Sequence, residues 1–135
     1  MKARIWIFPS KLRQFKEKLL DSTGARAVII GEMTDDRDGQ IYQTVTLGDQ
    51  TWLAENLNYE TDNSWCYDKD PDNCDTYGRL YDWEAAMTAC PDGWHLASDE
   101  EWSSLIKYLD PKADPNATLA ESDVAGGLLK ATGTV

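Results

Sequence analysis

Residues 77–102, YGRLYDWEAAMTACPDGWHLASDEEW, carry the signals for two helices and the turn between them. Asp82 can cap a helix that extends to Ala89, because its carboxylate can accept the free N–H groups of a first helical turn. Pro91 and the Asp92-Gly93 turn end this helix. Its apolar side chains recur at i, i+3, i+4 and i+7, which predicts one buried face: Trp83, Ala86, Met87 and Cys90.

The same stretch ends in a capping box, Ser98-Asp99-Glu100-Glu101. In this motif a serine and the glutamate three residues later satisfy each other's backbone N–H groups, so a second helix is predicted to begin here. Asp110-Pro111 predicts its end. Its apolar residues again share one face: Trp102, Leu105, Ile106 and Leu109. We therefore expect two amphipathic helices that bury their apolar faces.

A β-hairpin is predicted before the helices. Residues 40–47 alternate between two faces, and Gly48-Asp49 predicts a two-residue turn into a second strand at Gln50–Leu53. Residues 54–79 are rich in Asn, Asp, Pro and Tyr, which predicts irregular loops. Toward the C-terminal end we expect one late strand at Leu128–Val135. Hairpin, two helices and loops together predict an α+β fold.

The N-terminal part of the chain differs from the rest in charge. Residues 1–30 contain seven basic and two acidic residues, a net charge of +5, whereas residues 31–135 have a net charge of −16. We divide the chain into a basic N-terminal segment, 1–33, and an acidic domain, 34–135. In the alternative, the opposite charges pair within one fold. Local patterns in the first segment predict a strand, a helix and a strand: Ala3–Phe8, Lys11–Leu20 and Ala27–Ile30.

The predicted basic helix is amphipathic. Its apolar residues lie on one helical face: Leu12, Phe15, Leu19 and Leu20. We expect this apolar face to pack against the acidic domain of the same chain. A membrane surface or a partner protein is the alternative partner of this helix.

Composition limits the partners of the whole chain. A net charge of −11 and a pI near 4.3 argue against a nucleic-acid partner, because binding phosphates requires a basic surface. No apolar run approaches the roughly 20 residues of a membrane span. The longest apolar candidate, Ile5–Phe8, is also too short for the core of a secretion signal.

Three cysteines are present, and two lie close together in sequence. Cys66 and Cys74 are eight residues apart around a turn-rich stretch, and we predict a disulfide between them. Two free thiols, or a metal site, are the alternatives. A zinc site requires more ligands than two cysteines and one distant histidine, so we assign no metal. Cys90 lies on the apolar face of the first helix, where a cysteine behaves as a small buried hydrophobe.

Acidic residues crowd the loop from Asp68 to Asp75, and their alternate spacing is similar to that of a calcium loop. The EF-hand pattern fails, since it lacks the glycine in sixth place and has Arg79 at the position of the bidentate glutamate. We interpret this loop as a solvated acidic turn, and the cluster Asp35, Asp36 and Asp38 similarly as turn chemistry. A calcium site is the alternative.

No residue is assigned a catalytic role. His95 is the only histidine and would have to serve any serine or cysteine nucleophile as its base. We favour a structural, hydrogen-bonded histidine in the turn between the helices. Pairs of carboxylates for glycoside hydrolysis remain open, because 24 acidic residues guarantee many close pairs and no spacing singles one out.

Three aromatic residues, Trp65, Tyr67 and Tyr77, are the candidate binding residues. Aromatic rings beside acidic groups bind sugars by stacking and by hydrogen bonds to hydroxyls. In the alternative, which we expect more often for such residues, the rings cover the edge of the core.

Four stretches of the chain resemble one domain family: Asp38–Tyr59, Ser64–Asp68, Tyr77–Trp102 and Ala125–Gly133. It is named for the Fibrobacter succinogenes major paralogous domain. The chain is also similar, more distantly, to the C-type lectin-like fold, in which a helix ending in cysteine, a Gly-x-His-Leu turn and a second helix with acidic residues occur in this order. The residues in those places are Cys90, Gly93, His95, Leu96 and Glu101.

This resemblance implies a partial C-type lectin-like domain, apparently truncated at its C-terminus, with the N-terminal strand, helix and strand added. It implies a non-catalytic, secreted or surface-type binding module for a glycan or a protein, with no cofactor and, through incompletely covered apolar faces, self-association. Two alternatives remain. Residues 93–102 resemble the signature of formylglycine-generating enzymes, whose catalytic cysteines come later in the domain and have no counterpart here. The chain could also be a fragment without activity of its own.

Overall fold

The computed structural model describes residues 28–114 and 122–129. The strand and helix expected at 3–8 and 11–20 lie outside these residues. The described chain is an α+β fold, as predicted, with two small antiparallel sheets, a 3-10 turn at Tyr67–Lys69 and four helices. The strands are β1 Val28–Thr34, β2 Ile41–Leu47, β3 Gln50–Leu53, β4 Ser64–Trp65 and β5 Leu80–Tyr81; the helices are α1 Pro71–Tyr77, α2 Trp83–Thr88, α3 Asp99–Leu109 and α4 Ala125–Leu129.

The larger sheet has the order β1-β2-β3, with both strand pairs antiparallel. The predicted hairpin is confirmed, with Leu47 opposite Gln50 and Thr44 opposite Leu53. The strand expected at Ala27–Ile30 is observed as the longer β1, which pairs with the whole of β2. Residues 28–33, which are predicted to belong to the N-terminal segment, are thus part of this sheet.

Core clusters pack against both sides of β2, which explains why nearly every residue of this strand is at least partly buried. Val45 and Leu47 on one face pack with Leu105 of α3 and Leu128 of α4. On the other face Tyr42 packs in a separate cluster. The buried members of that cluster are Tyr42, Leu53, Leu57 and Ala89.

The second predicted helix, α3, is confirmed together with its capping box. The Glu101 N–H donates to Ser98 Oγ at 3.3 Å, and the Ser98 N–H donates to Glu101 Oε2 at 2.8 Å. Leu105 and Leu109 are buried, and the Trp102 ring lies 5.4 Å from the ring of Trp52. The predicted apolar face is therefore the face that the core uses.

The first predicted helix, α2, forms, but its predicted buried face is wrong. Ala85 and Ala89 are buried, whereas Trp83 is 72% and Met87 57% exposed. The sequence allows either face, since both carry apolar residues. The backbone carbonyl of Ala89 accepts a hydrogen bond from Arg37 at 2.8 Å, and this contact turns the alanines inward.

Two further expectations are corrected. The strand expected at Leu128–Val135 is wrong where the chain is described, because Leu128 lies in α4. Ser122 Oγ accepts the N–H groups of Val124 and Ala125, and this cap favours the helix. The stretch 54–79 is also more regular than predicted, since it holds β4, the 3-10 turn and α1. Its helix signals are local: Asp70 as N-cap, Pro71 at the first position and Gly78 at the C-cap.

Gly78 should be the least replaceable glycine of the described chain. It has φ +73° and ψ −167°, a conformation essentially restricted to glycine, and an added Cβ would lie 2.6 Å from Asn56 Cβ and 2.9 Å from the Leu57 carbonyl oxygen. We expect Gly78→Ala to lower the free energy of unfolding by about 3 kcal/mol, measured by urea denaturation.

Gly39→Ala is the matched control. Gly39 has φ +77°, but nothing lies within 4 Å of an added Cβ. Gly39→Ala should lower the free energy of unfolding by about 1 kcal/mol, because only the unfavourable backbone conformation contributes. Equal losses in the two variants would contradict the steric argument.

Candidate binding site

A disulfide-closed lobe holds the candidate binding residues. Cys66 and Cys74 form the predicted disulfide, with their Cα atoms 4.9 Å apart. It joins the end of β4 to α1 across the 3-10 turn. We define residues 64–81, from β4 to β5, as the disulfide lobe. Cys74 is the one buried residue of its two helical segments, so the covalent bond replaces an apolar core here.

The three predicted aromatic residues all lie on this lobe and are all substantially exposed. Trp65 is 45%, Tyr67 61% and Tyr77 49% exposed. The rings of Tyr67 and Tyr77 meet edge to face, with centroids 6.5 Å apart and planes at 81°. Trp65 is paired with Leu80 in the β4–β5 ladder. Their role as binding residues stays a prediction.

Beside the lobe lies an open cleft of about 520 Å³. Three separate segments build it: the turn between β1 and β2, the stretch after β3, and the disulfide lobe. Its lining is mainly polar, with three carboxylates, two amides and one guanidinium. The lining residues are Asp38, Gln40, Asn58, Tyr59, Glu60, Cys66, Pro71, Cys74, Asp75 and Arg79.

Two buried polar atoms of the cleft lining have no hydrogen-bond partner in the described part of the chain: Asn58 Oδ1, an acceptor, and Arg79 Nε, a donor. Arg79 is held in place by Glu60 Oε2, 2.7 Å from its Nη2, and its backbone N–H donates to the Leu57 carbonyl. Buried polar groups in proteins are nearly always satisfied, and a small movement of the cleft wall would let these two atoms bond a ligand or water.

The wall of the cleft is fixed by Arg37. Its guanidinium makes a two-point ion pair with the fully buried carboxylate of Asp35, with Nη2 to Oδ2 at 2.6 Å and Nε to Oδ1 at 2.8 Å. The same guanidinium lies 3.6 Å from the ring centre of Tyr59, which lines the cleft. The hydrogen bonds from Arg37 lower the pKa of Asp35 and outweigh the opposing effect of burial.

His95 has a structural partner. Its Nε2 lies 2.9 and 3.0 Å from the two carboxylate oxygens of Glu101, the glutamate of the α3 capping box. Burial raises the pKa of Glu101, but the Ser98 N–H and His95 outweigh it, so the net shift is downward. This contact ties the turn between α2 and α3 to the beginning of α3.

The acidic loop forms local caps. Asp70 Oδ1 accepts the N–H of Asp72 at the beginning of α1, which is turn chemistry of the predicted kind. Within residues 28–114 and 122–129, no three His, Cys, Asp or Glu side chains are grouped so that they could hold a metal ion.

The cleft itself was not predicted from the sequence. Asp35 carries the one local signal, because an aspartate two residues before Arg37 can accept its backbone N–H, as it does here at 3.1 Å. Asn58, Tyr59 and Arg79 belong to distant segments, and no spacing connects them. Only the folded chain brings them together.

Residues 45–135, more than half of the chain, match the family model described as the Fibrobacter succinogenes major domain. This match confirms the resemblance found in the sequence, and it includes the disulfide lobe, α2 and α3. No curated protein and no solved structure matches the chain. Among the described residues, no helix combines the length and the apolar character needed to cross a bilayer.

We expect Asp35→Asn to lower the free energy of unfolding at pH 7 by about 3 kcal/mol. This is the lower end of the cost of breaking a buried ion pair, because the Arg37 side chain is still 28% exposed to water. Since folding lowers the pKa of Asp35, the stabilisation is present above the ordinary aspartate pKa of about 3.9 and is lost as the pH falls through the folded value.

Urea denaturation at pH 7, 5, 4 and 3 measures this loss. The difference between wild type and Asp35→Asn should be constant from pH 7 to 5 and shrink below pH 4. Asp36→Asn, at the exposed neighbouring position, is the control and should change stability by less than about 0.5 kcal/mol. A difference that does not depend on pH would contradict the ionic origin of the effect.

The disulfide predicts the number of reactive thiols and the cost of removing the bond. Unfolded, unreduced protein should have one alkylatable thiol, that of Cys90, and three after reduction. Replacing both Cys66 and Cys74 with serine should cost about 2.5 kcal/mol, the chain-entropy value for so short a loop. Alkylation followed by mass spectrometry gives the thiol count, and three thiols before reduction would refute the bond.

Proposed function

The chain belongs to the Fibrobacter succinogenes major domain family, and within that family we propose that it is a non-catalytic module that binds a neutral glycan. The proposal includes the C-type lectin-like fold that the sequence resembles. The helix, the Gly93 turn and the capped helix that carry this resemblance occur in the expected order as α2, the connecting turn and α3. The proposed binding surface is the aromatic face of the disulfide lobe together with the adjoining cleft.

One observation carries this proposal: the exposed Tyr67–Tyr77 ring pair lies on the lobe whose Cys66, Cys74 and Asp75 line the cleft. Sugar rings have apolar C–H faces, which stack on aromatic rings, and hydroxyls at their edges, which require hydrogen-bond partners. Aromatic rings beside a polar cleft match both parts of such a ligand.

The charge of the cleft favours an uncharged sugar. Asp38, Glu60 and Asp75 supply three carboxylates, whereas Arg79 is the single cation in the lining and is already paired with Glu60. Carboxylates accept hydrogen bonds from sugar hydroxyls but repel uronic acids and sulfated sugars. A small movement of the cleft wall would add one acceptor, Asn58 Oδ1, and one donor, Arg79 Nε, which have no partner among the described residues.

The non-catalytic part of the proposal rests on His95. It is the only histidine in the sequence, and its ring is hydrogen-bonded to Glu101, whose carboxylate also caps α3. A histidine in this arrangement stabilises a helix terminus and the turn before it. A binding module needs no base, so this use of the histidine is consistent with the proposal.

Isothermal titration calorimetry with linear hexaoses of glucose, xylose and mannose tests the proposal, with a galacturonic acid hexamer as the anionic probe. We expect at least one neutral hexaose to bind and the anionic one not to bind. Tyr67→Ala and Tyr77→Ala should each weaken binding about tenfold, because each removes a stacking ring. Tyr67→Phe keeps the ring and should weaken binding by less than about threefold.

Trp83→Ala is the matched control. Among the described residues, Trp83 is the most exposed large apolar residue, at 72%, but it lies on α2, outside the lobe and the cleft lining. Its loss should leave the affinity unchanged. If no neutral hexaose binds, or if Trp83→Ala weakens binding as much as Tyr67→Ala, the proposal is wrong; binding of a protein ligand in place of all the glycans would also overturn it.

A further inference from the structure

The outward face of α2 carries an apolar patch that the described residues leave uncovered. Trp83 and Met87 are one helical turn apart and are 72% and 57% exposed. Leu80, the first residue of β5 and three residues before Trp83, is 46% exposed. Neighbouring exposed apolar side chains of this size are typical of an interaction surface. We call these three residues the α2 patch.

The rotation of α2 that exposes the patch is fixed from the other side. Ala85 and Ala89 face the core, and the Ala89 carbonyl accepts a hydrogen bond from Arg37, which the buried carboxylate of Asp35 holds. The patch therefore cannot be buried by a simple turn of the helix. A separate element has to cover it.

We propose that residues 11–20 of the same chain bind the α2 patch as an amphipathic helix. This segment lies outside the described residues. Its sequence supplies the apolar face that the patch needs, with Leu12, Phe15 and Leu19 at positions i, i+3 and i+7. The predicted helix 11–20 and the α2 patch thus each present a row of apolar side chains to the other.

Charge complementarity favours this occupant over a second copy of the acidic domain. Residues 1–30 have a net charge of +5, whereas residues 31–135 have a net charge of −16. On α2 itself, the exposed Glu84 lies three residues before Met87 and therefore next to it on the helix surface. A basic helix is attracted to such a surface, whereas two acidic surfaces repel each other.

The connecting chain is long enough. Residues 21–27 join the segment to β1 and can span roughly 24 Å when extended. Strand β1 has seven residues and is about 23 Å long. At its far end the turn carrying Arg37 contacts the end of α2, so the α2 patch lies within reach of the segment.

Methionine oxidation measured by mass spectrometry tests the proposal on the full chain. With dilute hydrogen peroxide, Met87 should react more slowly than its 57% exposure implies, because the segment covers it. Leu19→Asp and Phe15→Asp each place a charge on the apolar face of the segment and should raise the Met87 oxidation rate about fivefold or more.

Gln14→Asp adds the same charge on the opposite side of the predicted helix and should leave the Met87 rate unchanged. Met33, half-buried in the Tyr42 cluster, is an internal control for folding, and its rate should not change in any variant. A variant that raises the Met33 rate has lost its fold, and the other variant then decides the outcome.

Two results would overturn the proposal. Met87 could oxidise as fast in the wild type as in Leu19→Asp and Phe15→Asp, which means that the segment does not cover it. Alternatively, Met87 could be protected at 100 μM protein and lose that protection at 1 μM, which identifies a second copy as the occupant. Neither result bears on glycan binding, since Met87, the residue that is measured, lies on α2, outside the disulfide lobe and the cleft lining.

Discussion

The ion pair between Arg37 and Asp35 is the constraint on which the rest of the structure depends. From a single turn, one guanidinium contacts the buried Asp35 carboxylate, the Ala89 carbonyl at the end of α2, and the ring of Tyr59 in the cleft wall. It therefore positions the sheet, a helix and the cleft relative to one another. A planar cation with five donors can make all three contacts at once, which lysine cannot.

The same constraint explains the distribution of apolar surface. Helix α2 could have buried either Trp83 and Met87 or Ala85 and Ala89. The bond from Arg37 holds Ala89, which packs in the Tyr42 cluster, and the buried Ala85 lies on the same side of the helix. The large apolar side chains then face outward. The α2 patch is a consequence of the polar contact, because that contact sets the helix rotation.

What the sequence predicts correctly is what local chemistry determines. The hairpin follows from alternation and its Gly48-Asp49 turn, and α3 follows from the Ser98–Glu101 capping box and an unambiguous apolar face. The buried face of α2 was not predictable, because both faces are apolar and a distant arginine selects between them. The cleft was not predictable either, since Asp38, Asn58 and Arg79 come from three segments that only tertiary structure brings together. The sequence also left open whether Trp65, Tyr67 and Tyr77 are exposed or cover the edge of the core, because that depends on how the lobe packs in the folded chain.

The disulfide connects stability to the proposed binding surface. A small lobe normally holds its shape by burying its large apolar side chains. Of the four aromatic residues of this lobe, Tyr81 packs against the Tyr42 cluster, whereas Trp65, Tyr67 and Tyr77 are in neither core cluster. All three are instead at least 45% exposed, and Cys74 is the one buried residue of the 3-10 turn and α1. The covalent bond lowers the entropy of the unfolded loop and supplies the stability that those rings would otherwise have provided. Because the lobe does not need these three rings as a core, they are available for contact with a ligand.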